Sequence, residues 1–239
     1  MNAYFLFIGS LNDFLNHRQK DQQIQISFHG NPGIKDIIES LGVPHVEIQQ
    51  ILVNSVAVDF SYQLESGDVV QIFPFTYGPL PAQKEKPSFV LDVHLGKLAR
   101  YLRMMGFDSV YKNDFSDREL VNISCTDLRV LLTRDIGVLK YGCLRYGYWV
   151  RATNALIQAK EIVTRYRLCP LISPFSLCME CNYPLIPVSK FLIENRIQNL
   201  TREHYNTFSQ CVNCLKIYWP GSHFHKMNDL IKQICPQNS

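Results

Sequence analysis

Two short motifs, Cys178-Met-Glu-Cys181 and Cys211-Val-Asn-Cys214, constrain this 239-residue chain more than any other feature. Two Cys-x-x-Cys pairs supply four soft ligands, which suits a tetrahedral Zn²⁺ with thiolates at about 2.3 Å. Each short pair bends the backbone so that both sulfurs face one ion. The 29 residues between the pairs exceed the usual ribbon spacing, which implies an inserted segment within a zinc ribbon. Two redox or disulfide pairs are the alternative. Four protein ligands leave no open coordination position, so a zinc held this way is structural. Residues 169–239 are therefore expected to fold around a metal, and chemistry has to be sought elsewhere.

With 46% hydrophobic and 19% charged residues, the chain is expected to be soluble and globular, with two domains or more. No apolar run approaches the roughly 20 residues of a membrane-spanning helix, so no membrane partner is expected. The opening MNAYFLFIGSLNDF lacks a basic stretch and a small-residue cleavage site, so no secretory signal is expected either. Eight cysteines, four of them in metal-type pairs, fit a reducing compartment, the cytoplasm. Cys125, Cys143, Cys169 and Cys235 read as buried small hydrophobes. Charge is unevenly spread. Residues 1–78 hold 3 Lys/Arg against 8 Asp/Glu, and residues 87–168 hold 13 against 8. A basic middle beside an acidic head suggests a polyanion site in the middle region. An ordinary solvated surface explains an excess of this size equally well.

Residues 3–8 and 23–28 read as strands, Asn31-Pro32-Gly33 as a turn, Ile34 to Leu41 as a short helix, and 51–58 and 69–75 as strands. This order within residues 1–77 is a β-grasp pattern. Residues 78–87 (GPLPAQKEKP) carry three prolines and read as a linker. Beyond them strands and helices alternate: Ser88–Leu91 strand, Leu95–Met105 helix, Ser116–Cys125 helix, Arg129–Thr133 strand, Tyr148–Arg151 strand, Ala155–Tyr166 helix. Such alternation predicts a parallel sheet wrapped by helices over residues 88–168, so the chain combines α/β and α+β parts in several domains.

In an open parallel sheet, ligands bind beyond the carboxyl ends of the strands. Asp92 and Asp135 stand directly after predicted strands, and Asp117 opens a predicted helix. Three convergent carboxylates repel one another unless a cation neutralises them, and oxygen ligands favour Mg²⁺ or Mn²⁺. Such an ion positions a water and stabilises charge on a phosphate during phosphodiester hydrolysis. Structural roles compete. Ser116-x-x-Glu119 is a capping box, Asp117 gains from the helix dipole, and Arg134 could pair with a neighbouring acid. In the helix after Asp92, Leu95, Leu98, Ala99, Leu102 and Met105 form a core face. Lys97, Arg100 and Arg103 form a basic stripe suited to RNA phosphates, or simply a solvated face.

The run FVLDVHLGKLARYLRMMGFD, then DRELV, LLTRD and YWVRA with Gln158, resembles the Mut-seven carboxy-terminal ribonuclease family. The likeness continues through CMECNYPL, FSQCVNC and IYWPGSH to Met227. Residues 4–77, through LVNSVAVDF and GDVVQIFPF, resemble the ubiquitin-like domain often fused in front of that module. The resemblance implies a PIN-like fold with a zinc ribbon and a metal-dependent ribonuclease. Asp92, Asp117 and Asp135 then hold Mg²⁺ or Mn²⁺, while Lys97, Arg100 and Arg134 steer phosphate. A fourth acid often follows the next strand; here Asn154 stands in that stretch, which speaks against a second metal but still allows a water or phosphate to be ordered. The head resembles sulfur carriers, yet runs on into Thr76-Tyr77-Gly78-Pro79 where a carrier ends in free Gly-Gly. Docking of a protein partner or positioning of RNA is the expected role. Tyr218, Trp219, Ser222 and His223 offer either a stacking surface for a base or packing for the ribbon. The rival readings are a non-catalytic RNA-binding adaptor and a protein-interaction module.

Overall fold

Ala3, Phe5 and Phe7 alternate with more accessible residues and are all buried, so the first strand turns one face to a core. The computed structural model describes residues 1–82 and 85–236; part of the expected linker, residues 83 and 84, lies outside them. Elements in the first part are β1 (Asn2–Phe7), β2 (Ile24–Ser27), α1 (Ile34–Ser40), β3 (Ile48–Val53), β4 (Val56–Val58) and β5 (Val69–Pro74). Next come β6 (Phe89–Leu91), α2 (Gly96–Met104), β7 (Ser109–Tyr111), α3 (Asp117–Asp127), β8 (Val130–Thr133), β9 (Gly147–Trp149) and α4 (Ala155–Arg165). The last part holds β10 (Leu185–Pro187), α5 (Lys190–Ile193), α6 (Asn199–His204), β11 (Ser209–Cys211), β12 (Ile217–Tyr218) and α7 (Ser222–Ile234).

The chain forms two compact units. Residues 1–80 and 135–149 make one; residues 81–134 and 150–239 make the other. In the first, the strand order is β2-β1-β5-β3-β4, with β1 and β5 parallel at the centre. Ile34 and Ile38 of α1 join its buried cluster. This is the expected β-grasp, with one correction. The run ILVNSVAV, predicted as one strand, folds into the hairpin β3–β4, because Asn54 (φ 49°) and Ser55 (φ 69°) take left-handed conformations. The Asn54 amide donates to Asp68 Oδ1 at 3.0 Å and its oxygen accepts from Val69 N–H at 3.0 Å, which offsets the backbone cost. Residues 135–149 are tied into the same unit. Trp149 N–H donates to Glu47 Oε1 at 2.9 Å, Lys140 Nζ donates to the Glu39 carbonyl at 2.6 Å, and Phe14 packs on Trp149.

In the second unit, β6 lies between β7 and β8, and all three are parallel. Every residue of β6 and β8 is buried, the continuous apolar run of strands covered on both faces. β7 was not expected; three residues carry too little periodicity, and only pairing with Phe89–Leu91 makes Ser109–Tyr111 a strand. Ser116 and Glu119 form the expected capping box at the start of α3. β10, β11 and β12 make a separate antiparallel sheet, and α5 and α6 fall between the two cysteine pairs. Cys169 and Cys235 form a disulfide, which corrects their reading as free buried thiols. Among the described residues no helix is long and apolar enough to cross a membrane.

Gly106 shows why one glycine is required. It follows α2 with φ +84°, and a Cβ there would come within 2.2 Å of the Ser173 carbonyl oxygen. The crossing segment is held by Ser173 N–H to Met105 O at 3.0 Å and Phe175 N–H to Met104 O at 2.9 Å. Gly106→Ala is therefore expected to cost about 2–4 kcal/mol from the left-handed backbone and the displaced chain. Urea denaturation checks this; an unshifted midpoint would show that the crossing tolerates a side chain.

Candidate functional site

The small antiparallel sheet brings the two cysteine pairs together. Cys178, Cys181, Cys211 and Cys214 have all four sulfurs within 4.8 Å of one another, the only such His, Cys, Asp or Glu group of three or more among the described residues. The Cys178–Cys214 sulfurs are 3.6 Å apart and the Cys181–Cys211 sulfurs 3.3 Å. A tetrahedral site with arms of about 2.3 Å has edges near ~3.8 Å, so the set fits one soft ion such as zinc. None of the four is in a disulfide. Loss of water raises the Cys181 thiol, but hydrogen bonds from Tyr183 N–H and the other three cysteines outweigh it and bring it down to about 6. At Cys214 the Lys216 N–H pulls the other way, yet burial and the same cysteines push the thiol up to about 12.

Asp92 directly follows β6, an interior strand flanked by the parallel β7 and β8, and is only 4% exposed. Its Oδ1 accepts from His94 N–H at 2.8 Å, capping the turn Val93–Leu95. Its Oδ2 accepts from the Thr133 hydroxyl at 2.5 Å and Arg134 N–H at 2.6 Å. Oδ2 is saturated, while Oδ1 keeps a lone pair beyond these bonds. Asp117 is exposed in the first turn of α3, and Asp135 is exposed with Oδ1 accepting from Gly137 N–H at 2.7 Å. Asp92 and Asp117 belong to the second unit and Asp135 to the first.

The expected basic stripe divides. Lys97 is exposed; Arg100 pairs with Glu180 at 2.8 Å, and Lys216 reaches the same carboxylate oxygen at 2.9 Å. Arg103 is 4% exposed, so it is not part of a solvated face. Its Nε donates to the Ser109 carbonyl at 2.9 Å, and Nη1 donates to the carbonyls of Met179 (3.2 Å) and Glu180 (2.8 Å). Burial pushes the Arg103 guanidinium down, and Cys178, Cys181 and Asp108 draw it back. Arg103 clamps the first cysteine knuckle onto α2 and β7. Arg103→Met is expected to destabilise by about 2–4 kcal/mol, since the buried Ser109 carbonyl and the part-buried carbonyls of Met179 and Glu180 lose their donor. Thermal melting checks this, and an unchanged midpoint would remove the clamp. Arg134 donates to the carbonyls of Arg151, at 3.4 Å, and Ala152. Asn154 caps α4, accepting from Leu156 and Ile157 N–H at 2.9 and 3.3 Å.

A model of the Mut7-C RNAse domain matches residues 87–231, and one of the Mut7-C ubiquitin domain matches residues 1–77. The chain belongs to the Mut7-C RNAse domain family. No curated protein sequence matches it. Among solved structures, SAMP1 from Haloferax volcanii is 15% identical, covering 33% of this chain and 100% of its own with a TM-score of 0.27. A "putative molybdopterin converting factor, subunit 1" from Pyrococcus furiosus is 19% identical, covering 31% and 97%, with a TM-score of 0.25.

Two side chains of this Mut7-C chain were missed by sequence reading. Glu161, on α4, accepts from the N–H groups of Arg151 and Ala152 at 2.9 and 3.1 Å and so holds the strand-to-helix loop. Its sequence position, a charged residue within a helix, carries no such signal. Asn182, in CMECNYPL, accepts from Ser109 N–H at 2.9 Å and donates to Asp108 at 2.5 Å. The one sequence hint is an asparagine directly after a Cys-x-x-Cys knuckle, a residue that tolerates the left-handed turn it adopts here (φ +69°).

Proposed function

We propose that this Mut7-C chain is a Mg²⁺- or Mn²⁺-dependent ribonuclease that hydrolyses RNA phosphodiester bonds, with a structural zinc held by Cys178, Cys181, Cys211 and Cys214. The observation that carries the nuclease reading is Asp92, a buried carboxylate locked at the carboxyl end of the central parallel strand of a Mut7-C RNAse domain. Mg²⁺ is usually held through one or two carboxylates, with waters and substrate phosphate completing the shell, so one free lone pair on Asp92 Oδ1 suits it. When bound, such an ion supplies a positioned water and offsets charge on the phosphate. The chain does the rest. The Thr133 hydroxyl and Arg134 N–H hold the Asp92 carboxylate in one orientation. Lys97, exposed in the first turn of α2, draws the phosphate, and Asp117 orders a water. The ubiquitin-like domain is assigned to docking a protein partner.

The test is cleavage of labelled single-stranded RNA by the zinc-loaded protein, with Mg²⁺, with Mn²⁺ and without either, beside Asp117→Asn and Asp135→Asn. Cleavage only with the added ion, reduced at least about tenfold in either variant, is the expected result. Turnover that is indifferent to the ion and to both substitutions would overturn the reading. A second reading, a non-catalytic RNA binder, draws on Asn154 serving as a helix cap; it predicts retained RNA and no turnover.

A further inference from the structure

We infer that a continuous groove between α2, the first cysteine knuckle and α7 binds a single strand of RNA. One part, about 600 Å³, is lined by Gly96, Lys97, Arg100, Tyr101, Met179 and Leu230 among others. The next, about 730 Å³, shares Arg100, Met179, Glu180, Met227 and Leu230 with it and adds Tyr205, Lys216, Trp219, His223 and Lys226. The proposal rests on the ribonuclease reading for the choice of RNA. The groove itself supplies the charge and the ring faces.

Charge comes first. Lys97, Arg100, Arg103, Lys216 and Lys226 line the two parts, and Glu180 is the one carboxylate among those linings. Glu180 is already shared by Arg100 at 2.8 Å and Lys216 at 2.9 Å, so little of its charge is left to oppose a polyanion. Lys97 and Lys226 are exposed, at opposite ends of this surface in the chain's order. A polyanion is the partner such a surface fits.

The aromatic residues then select a single strand. Trp219 is 39% exposed although it is a large ring. It leans over bare backbone: a Cβ at Gly221 would lie 2.9 Å from its Nε1 and 3.3 Å from its Cδ1. A side chain at Gly221, just before α7, would push the partly exposed indole aside. Tyr218, next to it, is engaged instead, with its hydroxyl 3.1 Å from Cys178 Sγ. Unstacked bases lie on exposed rings, and their phosphates follow a basic groove; paired bases in a duplex cannot reach a ring set between side chains. Gly96, in the lining, lies four residues after Asp92 in the chain.

Fluorescence anisotropy tests this, using labelled short oligouridylate and the duplex it forms with oligoadenylate, in buffer without added divalent cation. Trp219→Ala is expected to weaken single-strand binding about tenfold or more while Trp219→Phe stays within a few-fold of the parent. Gly221→Ala, which displaces the indole, should follow Trp219→Ala. Lys226→Glu, an exposed change on a helix surface, should weaken binding and lower the salt slope by about one. Duplex binding should move little in the two Trp219 variants. If Trp219→Ala and Lys226→Glu, folded by circular dichroism, both bind the single strand as the parent does, the groove is not the track. Weak binding by the parent itself would overturn it too. The two proposals separate cleanly. Cleavage by the parent with unaffected groove variants sinks the groove alone, whereas groove-dependent binding without any cleavage sinks the nuclease and leaves the groove.

Discussion

Removal of the proposed zinc from the four-cysteine cluster, or Cys211→Ser, is expected to unfold the segment that carries β10, β11 and β12. The binding energy of structural zinc is folding energy, about 10–16 kcal/mol in small finger peptides at neutral pH. Here the small sheet has strands of three, three and two residues, far too little to stand without the ion. The effect should spread. Arg103 donates to the Met179 and Glu180 carbonyls, and Asn182 bonds Ser109 and Asp108, so loss of the knuckle strips partners from α2 and β7. The disulfide Cys169–Cys235 would keep the two ends of the segment joined without restoring its interior. Mass spectrometry under native conditions should show one zinc per chain, and melting after verified zinc loss should fall sharply. An unchanged melting curve would refute the structural role.

Asp92→Asn is expected to lose both cleavage and stability, and the reason lies in its partners. A carboxylate oxygen accepts from Thr133 and Arg134 N–H; an amide nitrogen turned that way faces the Arg134 N–H donor to donor. Turning the amide over moves the same conflict to His94 N–H. One buried donor goes unmet in either orientation, at about 1–3 kcal/mol. Under the proposed ion-dependent hydrolysis, loss of the Asp92 charge removes several kcal/mol of transition-state stabilisation, so cleavage should fall at least about 100-fold. Asp117→Asn provides the contrast: on an exposed first helical turn it should cost no more than about 0.5 kcal/mol of stability. Rates and urea midpoints measured together on both variants resolve the two contributions. Full activity in Asp92→Asn would sink its catalytic role.

Much of the molecule could be read along the chain because the signals are local. The cysteine pairs declare their ligand chemistry by spacing alone, and the buried runs of β6 and β8 are continuous in sequence. Ser116 and Glu119 cap α3 through contacts three residues apart, and those are legible for the same reason. Failures occurred where a distant partner decides. ILVNSVAV carries no Asn-Gly signature, so the left-handed pair at Asn54 and Ser55 becomes evident only beside Asp68 and Val69. Arg103 continues the three-residue spacing of Lys97 and Arg100 on paper. What removes it from solvent is a set of carbonyls more than seventy residues away.

Sequence by itself determined the β-grasp head, the parallel-sheet middle, the four-cysteine cluster and the position of Asp92 at a strand end, since each follows from periodicity, spacing or a single strand boundary. Tertiary structure decided the rest. It paired Cys169 with Cys235, put residues 135–149 with the head unit, turned Arg103 and Asn182 into clamps for the knuckle, and set Trp219 over Gly221 beside the lysines. Those arrangements depend on hydrogen-bond and packing partners far apart in the chain, and a buried donor is satisfied by whichever acceptor the fold delivers to it.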